Sequence, residues 1–180
     1  DAGGGVGVVA EADGAADGLV LCGDSAGGNL AAAVARAHAG APWLRALLLF
    51  YPVLDVSGRG QSYADFASGF LLEAADMDYF IDSYVPDAAA RRDPRCSPLV
   101  DLDAAILPPV ALLTCSHDVL GDEGRAFAAA CQAAGVPLRH VEAPGHIHGL
   151  VTLRAAIPSG AGPIGNVIDA LSELLGVEER

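Results

Sequence analysis

Short apolar runs alternate along the chain with longer segments in which apolar residues recur at helical spacing. Four of the runs have the length and composition of buried strands, at 18–22, 45–51, 109–115 and 136–142. Four segments have helical periodicity, at 26–39, 73–84, 122–134 and 167–175. Strands that alternate with helices are typical of a parallel sheet with helices packed against it. The pattern therefore predicts an α/β fold with a mostly parallel sheet covered by helices.

Residues 1–17 fit this alternation least well. The three consecutive glycines at 3–5 would each destabilise a helix by about 1 kcal/mol relative to alanine. We therefore predict at most a weak helix over 6–12. No internal repeat and no linker divides the chain, so residues 1–180 are expected to form one domain or part of a larger one.

Charge and hydropathy exclude two classes of partner. The chain has 10 Lys+Arg against 23 Asp+Glu, a net charge of −13, and its basic residues form no cluster. Because no cluster of basic residues is available to neutralise phosphates, we expect no binding to nucleic acid or to an anionic membrane. The longest apolar run, 46–54, is interrupted by Pro52 and is far shorter than the roughly 20 residues of a membrane span.

The cysteines indicate structural thiols. None of the four belongs to a C-x-x-C pair, and two lie in or beside apolar strand-like runs; they are Cys22, Cys96, Cys115 and Cys131. Zinc sites use paired spacings that are absent here. We predict buried, reduced cysteines, no metal site and a cytoplasmic location.

The first predicted strand runs into a G-x-S-x-G motif at 23–27. Glycines on either side of Ser25 permit the sharp strand-to-helix turn that exposes a serine hydroxyl above a sheet. The helix that follows would place Ser25 at its N-terminus, with the backbone N–H of Ala26 as a candidate oxyanion-hole donor. Gly-rich turns of this kind also bind phosphates, so the motif alone leaves the catalytic role open. The G-x-G-x-x-G of a dinucleotide site is absent.

A serine nucleophile needs a base, and the base needs an orienting carboxylate. In hydrolases with this motif the order is Ser, acid, His, each just beyond the carboxyl end of a strand. Asp118 comes shortly after the third predicted strand and is the favoured acid. Asp122 and Glu123 are weaker candidates, because they fall in the first turn of the following helix.

Two histidines, His146 and His148, follow the fourth predicted strand. His148 is the favoured base because the adjacent Gly149 leaves it room to turn toward Ser25. The other histidines are predicted to be structural or to form a pocket wall: His38 in a helix, His140 in a strand, and His117 beside the acid.

Four motifs in this order resemble the hormone-sensitive-lipase-like branch of the α/β-hydrolases. They are Gly-Asp-Ser-Ala-Gly-Gly-Asn at 23–29, Tyr-Pro-Val-Leu-Asp at 51–55, Asp-Val-Leu-Gly-Asp-Glu-Gly at 118–124 and His-Gly-Leu at 148–150. The resemblance extends from about residue 17 to the C-terminus. Members of that branch are carboxylesterases that act on short acyl esters.

The resemblance implies an α/β-hydrolase fold and a serine carboxylesterase that works through an acyl-serine intermediate. It assigns Ser25 as nucleophile, Asp118 as acid and His148 as base, with no metal and no cofactor. The implied partner is a small-molecule ester, and the sequence leaves a homo-oligomer open. Acyl-chain length, the alcohol, and preference for esters over thioesters or amides are not specified.

Two departures from the family pattern are visible. The acid loop of the family usually has proline and arginine where this chain has Val119 and Gly121, so we expect altered loop rigidity. The His-Gly-Gly-Gly loop that completes the oxyanion hole is missing. The glycines at 3–5 lie too close to Ser25 to supply it, because a strand and a helix must intervene and a βαβ unit takes about 30 residues.

The resemblance therefore leads us to expect the C-terminal portion of a hydrolase catalytic domain, truncated on its N-terminal side. Such a chain would have weak activity by itself. The alternative is a non-catalytic or weakly active fragment that lacks half of the oxyanion hole.

Overall fold

A computed structural model describes residues 7–8 and 18–177. Its sheet has five strands in the order β1-β2-β3-β4-β5. The last four are parallel, whereas β1 pairs antiparallel with β2. The strands are β1 Gly7–Val8, β2 Leu19–Asp24, β3 Leu44–Phe50, β4 Val110–His117 and β5 Leu138–Ile147. The mostly parallel α/β sheet expected from the sequence is confirmed.

The described residues also form five α-helices and three short 3₁₀-helices. The α-helices are α1 Ala26–Ala37, α2 Ser62–Asp65, α3 Ala74–Tyr84, α4 Gly121–Ala133 and α5 Ala161–Leu175. The 3₁₀-helices are Ala88–Arg92, Ala104–Ile106 and Pro158–Gly160. All four predicted helices are present, although α5 begins well before residue 167. None of the described helices combines the length and the apolar character needed to cross a membrane.

Two predictions were wrong, one about a helix near the N-terminus and one about the end of the last strand. The weak helix over 6–12 is not formed at Gly7–Val8, which pairs with Leu21 and Cys22 on the edge of β2. Glycine disfavours a helix, and an edge strand offers free N–H and C=O groups. The rest of 6–12, like the glycines at 3–5, lies outside the described residues.

The fourth predicted strand does not end at residue 142, because β5 continues to Ile147. Its register with β4 shifts between Cys115 and His117, where the pairing moves from Ala143 to Ile147. This irregularity accommodates Pro144, which has no N–H to donate to a sheet ladder. The added length carries the chain beyond β4 toward the site.

The core lies on both faces of the sheet, because β3 and β4 are almost completely buried. Alternate side chains of a strand point to opposite faces. Leu47 and Leu49 pack under α1 and α4, where Phe127 contributes the largest buried ring. Leu48 and Phe50 point to the other face, which α5 covers. Continuous apolar runs in these strands are thus explained by burial on two sides.

A third apolar cluster lies among the segments that follow β3 and β4. It joins Val53 and Val56 to Met77 and Ile81 of α3. This cluster anchors α3 near the carboxyl ends of the strands, where the predicted site residues are found.

Candidate active site

Ser25 lies in a strained turn between β2 and α1. Its φ of 52° and ψ of −118° fall in a region that side-chain-bearing residues rarely adopt. The turn is held from both sides, because the Ser25 N–H donates to the Phe50 carbonyl at 2.9 Å. The Ser25 carbonyl in turn accepts from the Val53 N–H at 3.1 Å. The Ser25 backbone is therefore braced by the segment that leaves β3.

The glycines of the motif are required by close packing. A Cβ on Gly23 would come within 2.2 Å of the Gly27 carbonyl oxygen. A Cβ on Gly28 would lie 2.7 Å from the Cβ of Pro52. Ala26 is the first residue of α1, so its N–H has no partner within the helix.

A hydrogen-bonded chain joins three side chains from three separate loops. The Nε2 of His148 lies 2.9 Å from the Oγ of Ser25. The Nδ1 of His148 lies 2.7 Å from Oδ2 of Asp118. Asp118 is 2 % exposed and His148 is 7 % exposed, so both bonds lie away from solvent. The Leu120 N–H donates to Oδ1 of Asp118 at 2.9 Å and fixes the carboxylate.

The structure thus brings together Ser25, Asp118 and His148; their catalytic roles remain a prediction. The competing candidates for acid and base, Asp122 and His146, have other hydrogen-bond partners. Asp122 is bonded to Arg125 at 2.7 Å and accepts from the Ser62 N–H at 2.8 Å. His146 is bonded to the Oγ of Ser159 at 3.1 Å and to the Pro144 carbonyl at 2.9 Å.

Glu123, the third acidic candidate, braces the backbone after β3. Its Oε2 accepts from the N–H groups of Leu54 and Asp55 at 3.0 and 2.6 Å. Its Oε1 is buried and has no hydrogen-bond partner among the described residues. Burial, helped by the negative charges of Asp55 and Asp118, raises the pKa of Glu123 to about 8.

The remaining histidines have structural surroundings. His38 lies at the C-terminal end of α1 rather than inside it and packs against Trp43. His140 is bonded to Thr114 at 2.8 Å, and burial lowers its pKa. His117 packs against Phe66 and Phe70 and does not line the cavity beside Ser25, so its prediction as a pocket wall was wrong.

Three of the four cysteines are buried, and Cys22 is half-buried, a correction to the expectation for that residue. Cys22 lies on β2, which pairs with the short edge strand β1. Burial raises the pKa of the Cys131 thiol to about 11. Within residues 7–8 and 18–177, no group of three or more His, Cys, Asp or Glu side chains has an arrangement that could hold a metal ion.

Two residues that sequence reasoning missed support the site. Asn29 donates from Nδ2 to the carbonyls of Val53 and Cys96, both at 2.9 Å. Its position one helical turn after Ser25 was the available signal. Tyr51 packs its ring against His148, and only its place in the Tyr-Pro-Val-Leu-Asp motif singled it out.

A cavity of about 630 Å³ opens beside Ser25 and His148. Its wall is mainly apolar and includes Leu71, Met77 and Phe80. A smaller cavity of about 270 Å³ lies next to Glu123 and does not reach the Ser25 side chain. The larger cavity could receive the apolar part of a small molecule whose reactive group lies at Ser25.

Comparisons with known proteins identify the family of the chain. A family model described as the alpha/beta hydrolase fold matches residues 7–152. An ethyl acetate hydrolase from Pseudomonas putida is 35 % identical over 160 residues, which cover 87 % of this chain and 50 % of that protein. The carboxylic ester hydrolase LipN from Mycobacterium tuberculosis is 35 % identical over 162 residues, covering 85 % and 43 %.

Solved structures of esterases are also similar to this chain. A thermostable esterase from Pseudomonas putida superimposes with a TM-score of 0.77 at 37 % identity, over 89 % of this chain and 51 % of that one. EstE1, a thermophilic carboxylesterase from a metagenomic library, has a TM-score of 0.77 at 31 % identity, over 88 % and 54 %. The chain spans about half the length of the curated relatives it matches.

Proposed function

The chain belongs to the alpha/beta hydrolase fold family, in its hormone-sensitive-lipase-like branch, and from this we propose that it is a serine carboxylesterase. The proposed substrates are short-chain acyl esters. The observation that carries the proposal is the hydrogen-bonded chain from Asp118 through His148 to Ser25, which ends beside an apolar cavity.

In the first half of the proposed reaction, Ser25 Oγ attacks the ester carbonyl carbon while His148 Nε2 takes the hydroxyl proton. Asp118 holds the Nδ1–H and stabilises the imidazolium that forms. The negative charge on the tetrahedral intermediate lies at the N-terminus of α1, where the Ala26 N–H can donate to it. When the carbon–oxygen bond to the alcohol breaks, His148 returns the proton to the leaving oxygen, and an acyl-serine remains.

In the second half, water takes the place of the alcohol. His148 accepts a proton from water as its oxygen attacks the acyl carbon, and then protonates Ser25 Oγ as the acid departs. His148 therefore carries each transferred proton in this cycle, from Ser25 to the alcohol and then from water to Ser25. The cavity wall supplies apolar contact and excludes water from the acyl or alcohol part of the ester.

Short acyl groups are proposed because a relative with 35 % identity is an ethyl acetate hydrolase. The cavity volume would also hold a larger group on one side of the ester. A series of p-nitrophenyl esters from acetate to dodecanoate measures the acyl preference, and thioester and anilide analogues measured in parallel distinguish an esterase from a thioesterase or an amidase.

The central test compares the purified protein with its Ser25→Ala variant on p-nitrophenyl acetate and butyrate. We expect kcat to fall by at least about 10³-fold, because removal of a serine nucleophile disables the whole mechanism. Ser159→Ala is the matched control, since Ser159 contacts His146 rather than His148. Equal turnover by wild type and Ser25→Ala would rule out the proposed mechanism.

A further inference from the structure

Tyr51 occupies a strained position at the carboxyl end of β3. Its φ of 36° is in the left-handed region, although tyrosine has a bulky side chain. A non-glycine residue persists there only where its surroundings over-determine the conformation. The Tyr51 N–H donates to the Leu113 carbonyl at 2.6 Å, and the residue is 2 % exposed. The backbone is thus held where its side chain points toward the site.

The Tyr51 side chain contacts His148 in two ways. Its ring centroid lies 4.7 Å from that of the imidazole, with a tilt of 59° between the planes. Its Oη accepts from the Val151 N–H at 3.0 Å, within the turn that follows His148. Burial raises the pKa of the phenol, so the hydroxyl stays neutral. One side chain therefore holds both the imidazole and the backbone that carries it.

The two hydrogen bonds of His148 leave one kind of motion uncontrolled. Imidazole nitrogens donate and accept in the plane of the ring, so the bonds from Nδ1 to Asp118 and from Nε2 to Ser25 chiefly resist movement within that plane. They resist tilting of the ring out of that plane only weakly. The tilted contact with the Tyr51 ring limits this movement, and the hydrogen bond from the Val151 N–H to Tyr51 Oη limits translation of the backbone.

We propose that Tyr51 is the positioning residue for His148, and that its ring and hydroxyl together keep the imidazole aligned between Asp118 and Ser25. The expected loss of activity rests on the proposed function, whereas the alignment of His148 by Tyr51 does not. Tyr51 does not touch the reacting atoms, so its removal should slow the chemistry. Because Tyr51 also borders the cavity beside Ser25, KM is measured with kcat to detect any change in substrate contact.

The kinetic test uses Tyr51→Phe, which keeps the ring, and Tyr51→Leu, which loses both ring and hydroxyl. We expect kcat to fall about 10-fold in the first and about 100-fold in the second, because a displacement near 1 Å can cost a hundredfold in rate. Tyr79→Phe is the matched control, since Tyr79 is 69 % exposed on α3 and does not line the cavity. It should keep wild-type kcat.

A second measurement does not depend on turnover. The proton between His148 Nδ1 and Asp118 gives a downfield NMR resonance, assigned by its loss in His148→Gln. We expect this resonance to be sharp in wild type and Tyr79→Phe, and broadened by solvent exchange in Tyr51→Phe. Thermal unfolding followed by circular dichroism identifies a variant that has lost its fold.

The outcomes separate the two proposals. If Ser25→Ala is inactive while both Tyr51 variants keep wild-type kcat and a sharp resonance, the positioning role is overturned and the proposed function stands. If wild type and Ser25→Ala behave alike, the proposed function fails, and the resonance in Tyr51→Phe still decides the role of Tyr51. Wild-type kcat and a sharp resonance in Tyr51→Phe, with a loss of activity in Tyr51→Leu, would overturn the role of the hydroxyl.

Discussion

The Ser25 Oγ and the His148 Nε2 lie 2.9 Å apart, although 123 residues separate them in the sequence. They follow β2 and β5, which are three strand spacings apart in the sheet, a distance of roughly 14 Å. The contact therefore requires a chain segment that crosses above β3 and β4. The extension of β5 to Ile147 and the turn after it provide this crossing.

The acid of the triad can be identified by replacing each candidate carboxylate with a neutral amide. We expect Asp118→Asn to lower kcat by about 10²–10⁴-fold, because the amide favours the wrong tautomer of His148. Esterase assays at neutral pH measure the effect. Asp122→Asn is the control: its partners are Arg125 and Ser62, so kcat should stay within about 3-fold of wild type if orientation of the base is what matters. The reverse ranking would move the acid to Asp122.

This choice between two aspartates shows what local sequence can predict. The nucleophile turn depends on neighbouring glycines, and the strands depend on apolar runs, so both are visible without the fold. The sequence favours Asp118 because it precedes the first turn of α4, and the structure places it next to His148. The order of the motifs was enough to predict which loops meet.

Contacts between distant segments were not predictable in this way. Glu123 lies in the first turn of α4, where an acidic residue is expected only to interact favourably with the helix dipole. In the structure it accepts hydrogen bonds from the N–H groups of Leu54 and Asp55. Tyr51 looks like the end of an apolar strand, yet it packs against His148, which lies far along the chain. Such partners follow from how the loops pack above the sheet, and no periodicity in the sequence encodes that packing.

Asn29 should be important for stability. Replacing it with alanine leaves the carbonyls of Val53 and Cys96 without the Nδ2 donor, and a buried unsatisfied group costs about 1–3 kcal/mol. We therefore expect Asn29→Ala to lower the free energy of unfolding by about 2–4 kcal/mol, measured by urea denaturation. Asn166→Ala, at an exposed position of α5, should stay within about 0.5 kcal/mol of wild type. A similar loss in both variants would refute the role of these two bonds.

Two glycine-to-alanine changes should have opposite effects. A Cβ on Gly124 would lie 2.6 Å from the Cγ2 of Thr114, which is buried and hydrogen-bonded to His140. Overpacking of this kind destabilises by about 1–3 kcal/mol. A Cβ on Gly165, inside α5, meets nothing within 4 Å, so alanine should stabilise that helix by about 0.5–1 kcal/mol. Melting temperatures of the two variants should therefore lie on either side of the wild-type value.

Glu123 links stability to pH in the neutral range. Burial raises its folded-state pKa to about 8 from an ordinary value of 4.5. Between these two values the folded state binds more protons than the unfolded state, so stability decreases as pH rises. The stabilisation is fully present below pH 4.5 and is lost as pH passes through about 8. His140 has the opposite effect, because burial lowers its pKa.

Glu123→Gln isolates this contribution, because every other titrating group is unchanged and the amide oxygen can still accept from Leu54 and Asp55. We expect the difference in unfolding free energy between variant and wild type to shift in favour of the variant from pH 5 to pH 8.5, as the wild-type carboxyl ionises in a buried site. Urea denaturation at several pH values measures it. Glu173→Gln, at an exposed position beside Arg139, should show no such trend. A difference that stays constant across this range would mean that Glu123 is already ionised at pH 5.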